Sequence, residues 1–251
     1  MQNQELFDFL MAEANHPFEG WNFSHITATG RMAEAPLSWS YVSKLLMRLR
    51  KAQSLLDMGT GGGELLSTLQ PLPPLTCATE GYAPNVPIAR QRLEPLGVQV
   101  YEVGHDGKLP FEDNHFDLVI NRHEYYDPAE ARRVLKPGEQ FITQQVGGKN
   151  EDDLNALMGA DNYQFANWKL AYAVKQLQDA GWHIVEQMED HPIMRFFDVG
   201  AIVYYLKAIP WQIPDFSIEG YFDKLVGIHN HIEQHGYIDF HTDRFLIVAE
   251  K

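Results

Sequence analysis

The 251-residue sequence contains a single cysteine, Cys77. One thiol excludes an intrachain disulfide and any zinc site built on several cysteines. Positive charge is scarce too: 20 Lys and Arg stand against 34 Asp and Glu, a formal net charge of −14. That balance lacks the basic stripe that phosphate binding demands, which argues against nucleic acid as a partner. It also leaves no polybasic segment for anionic lipid. Long apolar runs are missing. The stretch from Ala201 to Leu206 stops at Lys207, far short of the roughly 20 residues needed to insert across a bilayer. The start, from Met1 to Leu6, has no basic residues followed by an apolar run, so no signal peptide is expected and a cytoplasmic location is. No internal repeat or low-complexity tract is evident. At 45% hydrophobic and 22% charged, the composition is that of a globular protein, long enough for one α/β domain with a small lid.

What is present is an alternation of strand and helix patterns. Val42, Leu45, Leu46 and Leu49 recur on one helical face after Ser38, and Arg48, Arg50 and Lys51 load the end where the helix dipole favours cations. Short apolar runs at 54–57, 76–79, 98–103, 116–121, 141–146, 182–187 and 245–249 read as strands. Helices are expected over 5–14, 64–69, 85–93, 128–135 and 167–180. The fourth of these has an N-cap Asp127, Pro128 at the first position and Glu130 behind it. A turn is expected at Pro137-Gly138. The alternation implies a doubly wound, largely parallel sheet covered on both faces. It divides the chain into an N-terminal cover over 1–36, a core over 37–190, a helical insertion or lid over 191–236, and a final strand within 237–251.

The sharpest motif follows the first core strand: Asp57-Met58-Gly59-Thr60-Gly61-Gly62-Gly63-Glu64. Glycines there let a ligand approach the backbone at the carboxyl ends of the strands. A phosphate-cradling P-loop would end in Gly-Lys-Ser/Thr, and Glu64-Leu65 denies it. A dinucleotide fingerprint would place its third glycine one residue later, where Glu64 would repel a pyrophosphate. Glu80 closes the second strand 17 residues past Gly63, where a carboxylate can accept both ribose hydroxyls of an adenosine.

The pattern acidic-x-Gly-x-Gly-x-Gly fits Asp57, Gly59, Gly61 and Gly63 without a gap. It resembles motif I of the class I methyltransferases that use S-adenosylmethionine (SAM). The stretch from Gly104 to Val119, with Leu109-Pro110-Phe111 and Phe116-Asp117, is similar to the passage leading into that family's fourth strand. The run from Arg133 to Gly138 is similar to its turn before strand five. The resemblance covers roughly Leu55 to Val146. It departs where Glu139 stands in place of a second glycine and where His105 precedes Asp106. It implies a Rossmann-like seven-stranded sheet with its last strand antiparallel, and SAM as cofactor. It implies that Asp57, Gly59, Thr60, Gly61 and Gly63 meet the methionine end and that Glu80 holds the ribose. Gly81 and Tyr82 would line the adenine, Asp106, with His105 beside it, would meet the adenine amino group, and Asn121 would face the methyl group. The motifs lie nearest the quinone- and small-metabolite-methylating branch, so a small-molecule acceptor is expected.

Methyl transfer from a sulfonium needs alignment and exclusion of water; a base is needed only where the acceptor must lose a proton. In Ile120-Asn121-Arg122-His123-Glu124-Tyr125-Tyr126, His123 is the candidate base and Glu124 its orienting partner or the binder of a cationic substrate, or the pair simply caps the next turn. The string is not the Asn/Asp-Pro-Pro-aromatic motif of enzymes that methylate nucleic-acid amines. In many enzymes of the family it resembles, the segment before the core closes over SAM; Arg31, Trp39 and Tyr41 come from that segment here, and Arg31 is either the partner of the SAM carboxylate or a surface arginine. His231 and His235, one helical turn apart, lack a third ligand, so no metal is expected. Tyr204, Tyr205, Trp211 and Phe216 read as core, or as lining of an apolar acceptor pocket. Three other readings stay open: an RNA methyltransferase, a SAM-binding protein without turnover, and a nicotinamide oxidoreductase. The oligomeric state is not legible.

Overall fold

The computed structural model describes residues 3–19, 21–104, 107–160 and 165–251. Helices α1 (Asn3–Ala14) and α2 (Ser24–Thr27) precede a short strand β1 (Met32–Glu34). Then follow α3 (Tyr41–Leu49), β2 (Ser54–Met58), α4 (Glu64–Thr68), β3 (Leu75–Glu80), α5 (Asn85–Leu93), β4 (Gln99–Glu102), β5 (Phe116–Arg122), α6 (Pro128–Val134) and β6 (Leu135–Val146). The chain continues through α7 (Asp152–Met158), α8 (Leu170–Asp179), β7 (His183–Asp190), β8 (Ile193–Phe196), α9 (Val199–Ala208), α10 (Ile218–His235), β9 (Ile238–His241) and β10 (Arg244–Glu250).

These elements form two compact units. The larger comprises Ser38–Gly147, Trp168–Asp190 and Arg244–Lys251. Its sheet has the order β4-β3-β2-β5-β6-β10-β7. Strands β4, β3, β2, β5 and β6 run parallel. Strand β10 lies antiparallel between β6 and β7. The order reverses at β2, with β3 on one side and β5 on the other. In doubly wound sheets ligands bind at the carboxyl ends of the strands beside such a reversal. Phe116, Phe141 and Phe245 are fully buried between sheet and helices; each such side chain stabilises the fold by roughly 1.5–3 kcal/mol.

Local chemistry sets the helix starts. Ser40 caps α3 by accepting from the Ser43 amide. Asp127 caps α6 by accepting from the amides of Ala129 and Glu130, with Pro128 at the first helical position, where its missing N–H costs nothing. The expected turn at Pro137-Gly138 is instead an irregularity inside one long strand. Leu135 already pairs with Phe116, the register shifts before Gln140 pairs with Leu118, and Gly138 sits at φ +76°. Only glycine takes that backbone angle without strain, so the strand bends there rather than ending.

The smaller unit gathers the N-terminal segment up to Leu37, Gly148–Asn167 and His191–Asp243. The insertion expected over 191–236 therefore extends to Asp243 and folds together with the N-terminal segment and 148–167. Its antiparallel sheet, in the order β1-β8-β9, has strands of three or four residues. Helix α9 is buried almost throughout and packs in a cluster with Leu6 and Leu10 of α1 and Leu225 and Ile228 of α10. Tyr204 and Tyr205 belong to that core. No helix among the described residues is long and apolar enough to cross a membrane.

Candidate active site

Loops at the carboxyl ends of β2, β3, β5 and β6 bring most of the predicted residues of the larger unit together. The loop after β2 hangs on β3: the amides of Gly59 and Thr60 both donate to Thr79 O, at 3.0 and 2.9 Å. Gly59 has φ +70°, and a Cβ there would stand 2.1 Å from Glu124 Cγ. Gly63 has φ +79°, and a Cβ there would meet Leu93 of α5 at 2.6 Å. The glycines let the loop after β5 and the end of α5 close on this one, beyond allowing the turn itself.

Glu80 ties the loops together. Its Oε2 accepts from the Gly61 amide at 2.7 Å and its Oε1 from the Tyr82 amide at 2.8 Å. The side chain is only 2% exposed, and burial raises its pKa, opposed by the amides and reinforced by the charge of Glu124. Asp57 is buried at the end of β2. Burial pushes its carboxyl up to about 6, opposed by the Thr60 hydroxyl and by Arg122. That hydroxyl lies close enough to assist the carboxylate, yet Thr60 Oγ1 is buried without a well-aligned hydrogen-bond partner. Gly81 has ordinary space where a Cβ would go, and the Tyr82 ring is 65% exposed. His105 and Asp106 lie outside the described residues.

Three predicted roles do not match the geometry. Asn121 is wholly buried and turned into the sheet. Its amide donates to Met58 O at 3.0 Å, and its oxygen accepts from Thr143 Oγ1 at 2.9 Å and Gln145 Nε2 at 2.6 Å. With those bonds made, it locks β2, β5 and β6 together instead of facing a methyl group. Arg31 lies in the smaller unit with its guanidinium already engaged. It donates to Asp198 through Nε and Nη2 at 2.8 and 2.7 Å and to Glu13 through Nη1 at 3.1 Å. Glu124 does not orient His123: its carboxylate accepts from the Tyr125 amide at 2.8 Å, and its stem lies over Gly59.

The residue that touches the His123 ring is Gln144, unforeseen from sequence. Gln144 Nε2 lies 3.2 Å from His123 Nε2, while Gln144 Oε1 accepts from Trp39 Nε1 at 2.9 Å. Trp39 thus anchors Gln144, and Tyr41 donates to Asn121 O at 3.0 Å. His123 is reached by solvent at its outer edge but crowded by protein around the ring. Desolvation, with Arg122 and Arg244, holds its imidazolium well below the usual range. A sequence signal for Gln144 and Gln145 existed: two amides following Phe141-Ile142-Thr143 at the carboxyl end of the strand next to β5. Elsewhere, His231 and His235 stack at 4.3 Å on the exposed face of α10.

Residues 56–143 match the family model described as a methyltransferase domain. No curated protein matches. A Bacillus halodurans protein described as a candidate methyltransferase aligns over 84% of this chain and 98% of its own, at 21% identity and a TM-score of 0.60. A Deinococcus radiodurans protein of unknown function aligns over 100% and 99%, at 13% identity and 0.61. A candidate sarcosine dimethylglycine methyltransferase from Galdieria sulphuraria aligns over 84% and 83%, at 16% and 0.52. At these identities the likeness is one of fold. The matched segment runs through the strands that carry Asp57, Glu80 and the glycine loop, and over these residues the chain is similar to a methyltransferase domain.

Proposed function

We propose that the larger unit binds SAM at the carboxyl ends of β2, β3 and β5 and transfers its methyl group to a small-molecule acceptor. The observation that carries this reading is Glu80. Its two oxygens each accept one backbone amide. A carboxylate has about four lone-pair sites; with the Gly81 amide also drawn on it, capacity remains for a ribose hydroxyl. The residues also fit the rest of the molecule. SAM carries two cationic groups, a sulfonium and an ammonium, and Asp57, Glu80 and Glu124 supply three carboxylates at this end of the sheet. In this reading Asp57, Gly59, Thr60, Gly61 and Gly63 hold the methionine end, and Gly81 and the exposed Tyr82 ring line the adenine.

When bound, SAM supplies a methyl carbon already activated by its sulfonium. The chain's own contribution is to hold that carbon and the acceptor's nucleophile in line and to exclude water. The net charge of −14 favours a small acceptor over RNA.

The test is the melting temperature of the protein alone, with excess S-adenosylhomocysteine (SAH), and with excess NAD. A ligand at about 100 times its Kd stabilises by roughly 2.7 kcal/mol. At roughly 2–4 °C per kcal/mol for a chain of this size, SAH should raise the melt by several degrees. A response to NAD alone would overturn the reading.

A further inference from the structure

We propose that Trp39 and Gln144 hold His123 as a neutral, Nδ1-protonated hydrogen-bond donor that receives an ionised oxygen of the methyl acceptor. This rests on the methyl-transfer reading above and adds the class of acceptor to it.

The argument begins at the indole. Trp39 Nε1–H can only donate, so the Gln144 atom 2.9 Å from it is the amide oxygen. The other end of that amide is therefore its NH2, which only donates, and it faces His123 Nε2 at 3.2 Å. A ring proton at Nε2 would oppose an amide proton. Nε2 must carry the lone pair, which places the single ring proton on Nδ1. The backbone holds this pose: the His123 amide donates to Gln144 O at 2.8 Å, and His123 sits at φ +58°. Nδ1 has no partner among the described residues.

A base role for Nε2 would require Gln144 to let go, and Nδ1 already has its proton. The charges that reach the ring are Arg122 on β5 and Arg244 on β10, both positive. An N–H donor in a positive field suits an oxygen anion such as a carboxylate or phenolate. Such a group needs no base. As its oxygen lone pair forms the new O–C bond, the C–S bond breaks and its pair stays on sulfur, with no proton released. Gln144 and Trp39 are then positioning residues, acting through His123.

The experiment is nitrogen NMR on protein labelled with 15N-histidine, at pH 7, with the His123→Asn variant assigning the signal. The expected spectrum has Nε2 unprotonated and Nδ1 protonated. An Nε2-protonated ring or an imidazolium would overturn the proposal. Gln144→Glu replaces the donor by an acceptor and should move the proton to Nε2 and raise the pH at which His123 titrates. An unchanged ring would show that Gln144 does not set it. Trp39→Phe frees the amide to flip and gives a second variant should the first fold poorly. With SAH saturating, benzoate should shift the Nδ1 resonance and benzylamine should not, and Gln144→Glu should weaken benzoate about tenfold or more. A response to benzylamine alone, or to neither, would overturn the oxygen-anion assignment. SAH binding is measured separately by calorimetry. Its failure would remove the methyl-transfer reading and leave the tautomer result standing.

Discussion

The Glu124 side chain occupies the space where a side chain on Gly59 would begin: a Cβ at Gly59 would lie 2.1 Å from Glu124 Cγ and 2.5 Å from its Cβ. The loops after β2 and β5 are therefore interlocked, and Gly59 combines this contact with φ +70°. Gly59→Ala should lose at least about 2 kcal/mol in urea unfolding, from left-handed strain plus the clash. Gly138→Ala isolates the strain, since Gly138 has φ +76° and open space around it. Glu124→Ala would leave its Cβ 2.5 Å away, so Glu124→Gly placed on Gly59→Ala is the variant that should relieve the clash and leave the strain, a coupling that a double-mutant cycle reads directly. Equal costs at positions 59 and 138 would show that the loops do not lock.

The buried carboxyl of Asp57 predicts a stability that changes with pH. Its pKa is raised to about 6 by burial, opposed by Thr60 and Arg122. Between about pH 4 and 6 the folded state keeps a proton that the unfolded chain has released, so stability falls as pH rises through this window. A shift of roughly two units corresponds to about 3 kcal/mol, fully imposed above pH 6. Asp57→Asn has no such penalty. Its stability relative to the parent should be up to about 3 kcal/mol more favourable at pH 7 than at pH 4, while its SAM affinity falls. A difference that stays flat from pH 4 to 7 would mean Asp57 ionises normally.

Replacing Glu80 by Gln keeps the shape and removes the charge. One amide hydrogen of the new side chain would oppose a backbone N–H, since Glu80 accepts from both Gly61 and Tyr82. Losing charge-assisted bonds worth roughly 1.5–3 kcal/mol each should weaken SAH by at least about tenfold in calorimetry. Unchanged affinity would remove Glu80 from the site.

Much of this architecture was legible because the larger unit obeys local rules. Strand–helix alternation, the Asp127-Pro128 cap and the glycine loop each act over a few residues, and they place β2, β3, β5 and their loops within a residue or two. The small sheet was not legible. With three or four residues each, β1, β8 and β9 are too short to display an alternating pattern, and their pairings, such as Met32 with Phe196, join distant segments. The site divides the same way. Asp57 and Glu80 follow from motif spacing. The inward turn of Asn121 depends on Thr143 and Gln145 across the sheet, and the ring of His123 on Gln144, contacts that no local pattern encodes.

Arg31 gives the sharpest separation of a structural from a ligand-binding role. It bridges Asp198 and Glu13, and Asp198 also caps α9 by accepting from the Ala201 amide at 2.9 Å. The pair is partly buried, with side-chain exposures of 20% for Arg31 and 32% for Asp198. Removing one partner of such a pair leaves the other desolvated and unpaired, which costs more than the pair itself contributes. Arg31→Met keeps the apolar stem and should lower stability by about 1–3 kcal/mol, read as a lower melting temperature. SAH affinity measured below that melt should be unchanged, because the guanidinium is committed to protein carboxylates. A tenfold loss of SAH affinity at unaltered stability would reverse the assignment and return Arg31 to the cofactor.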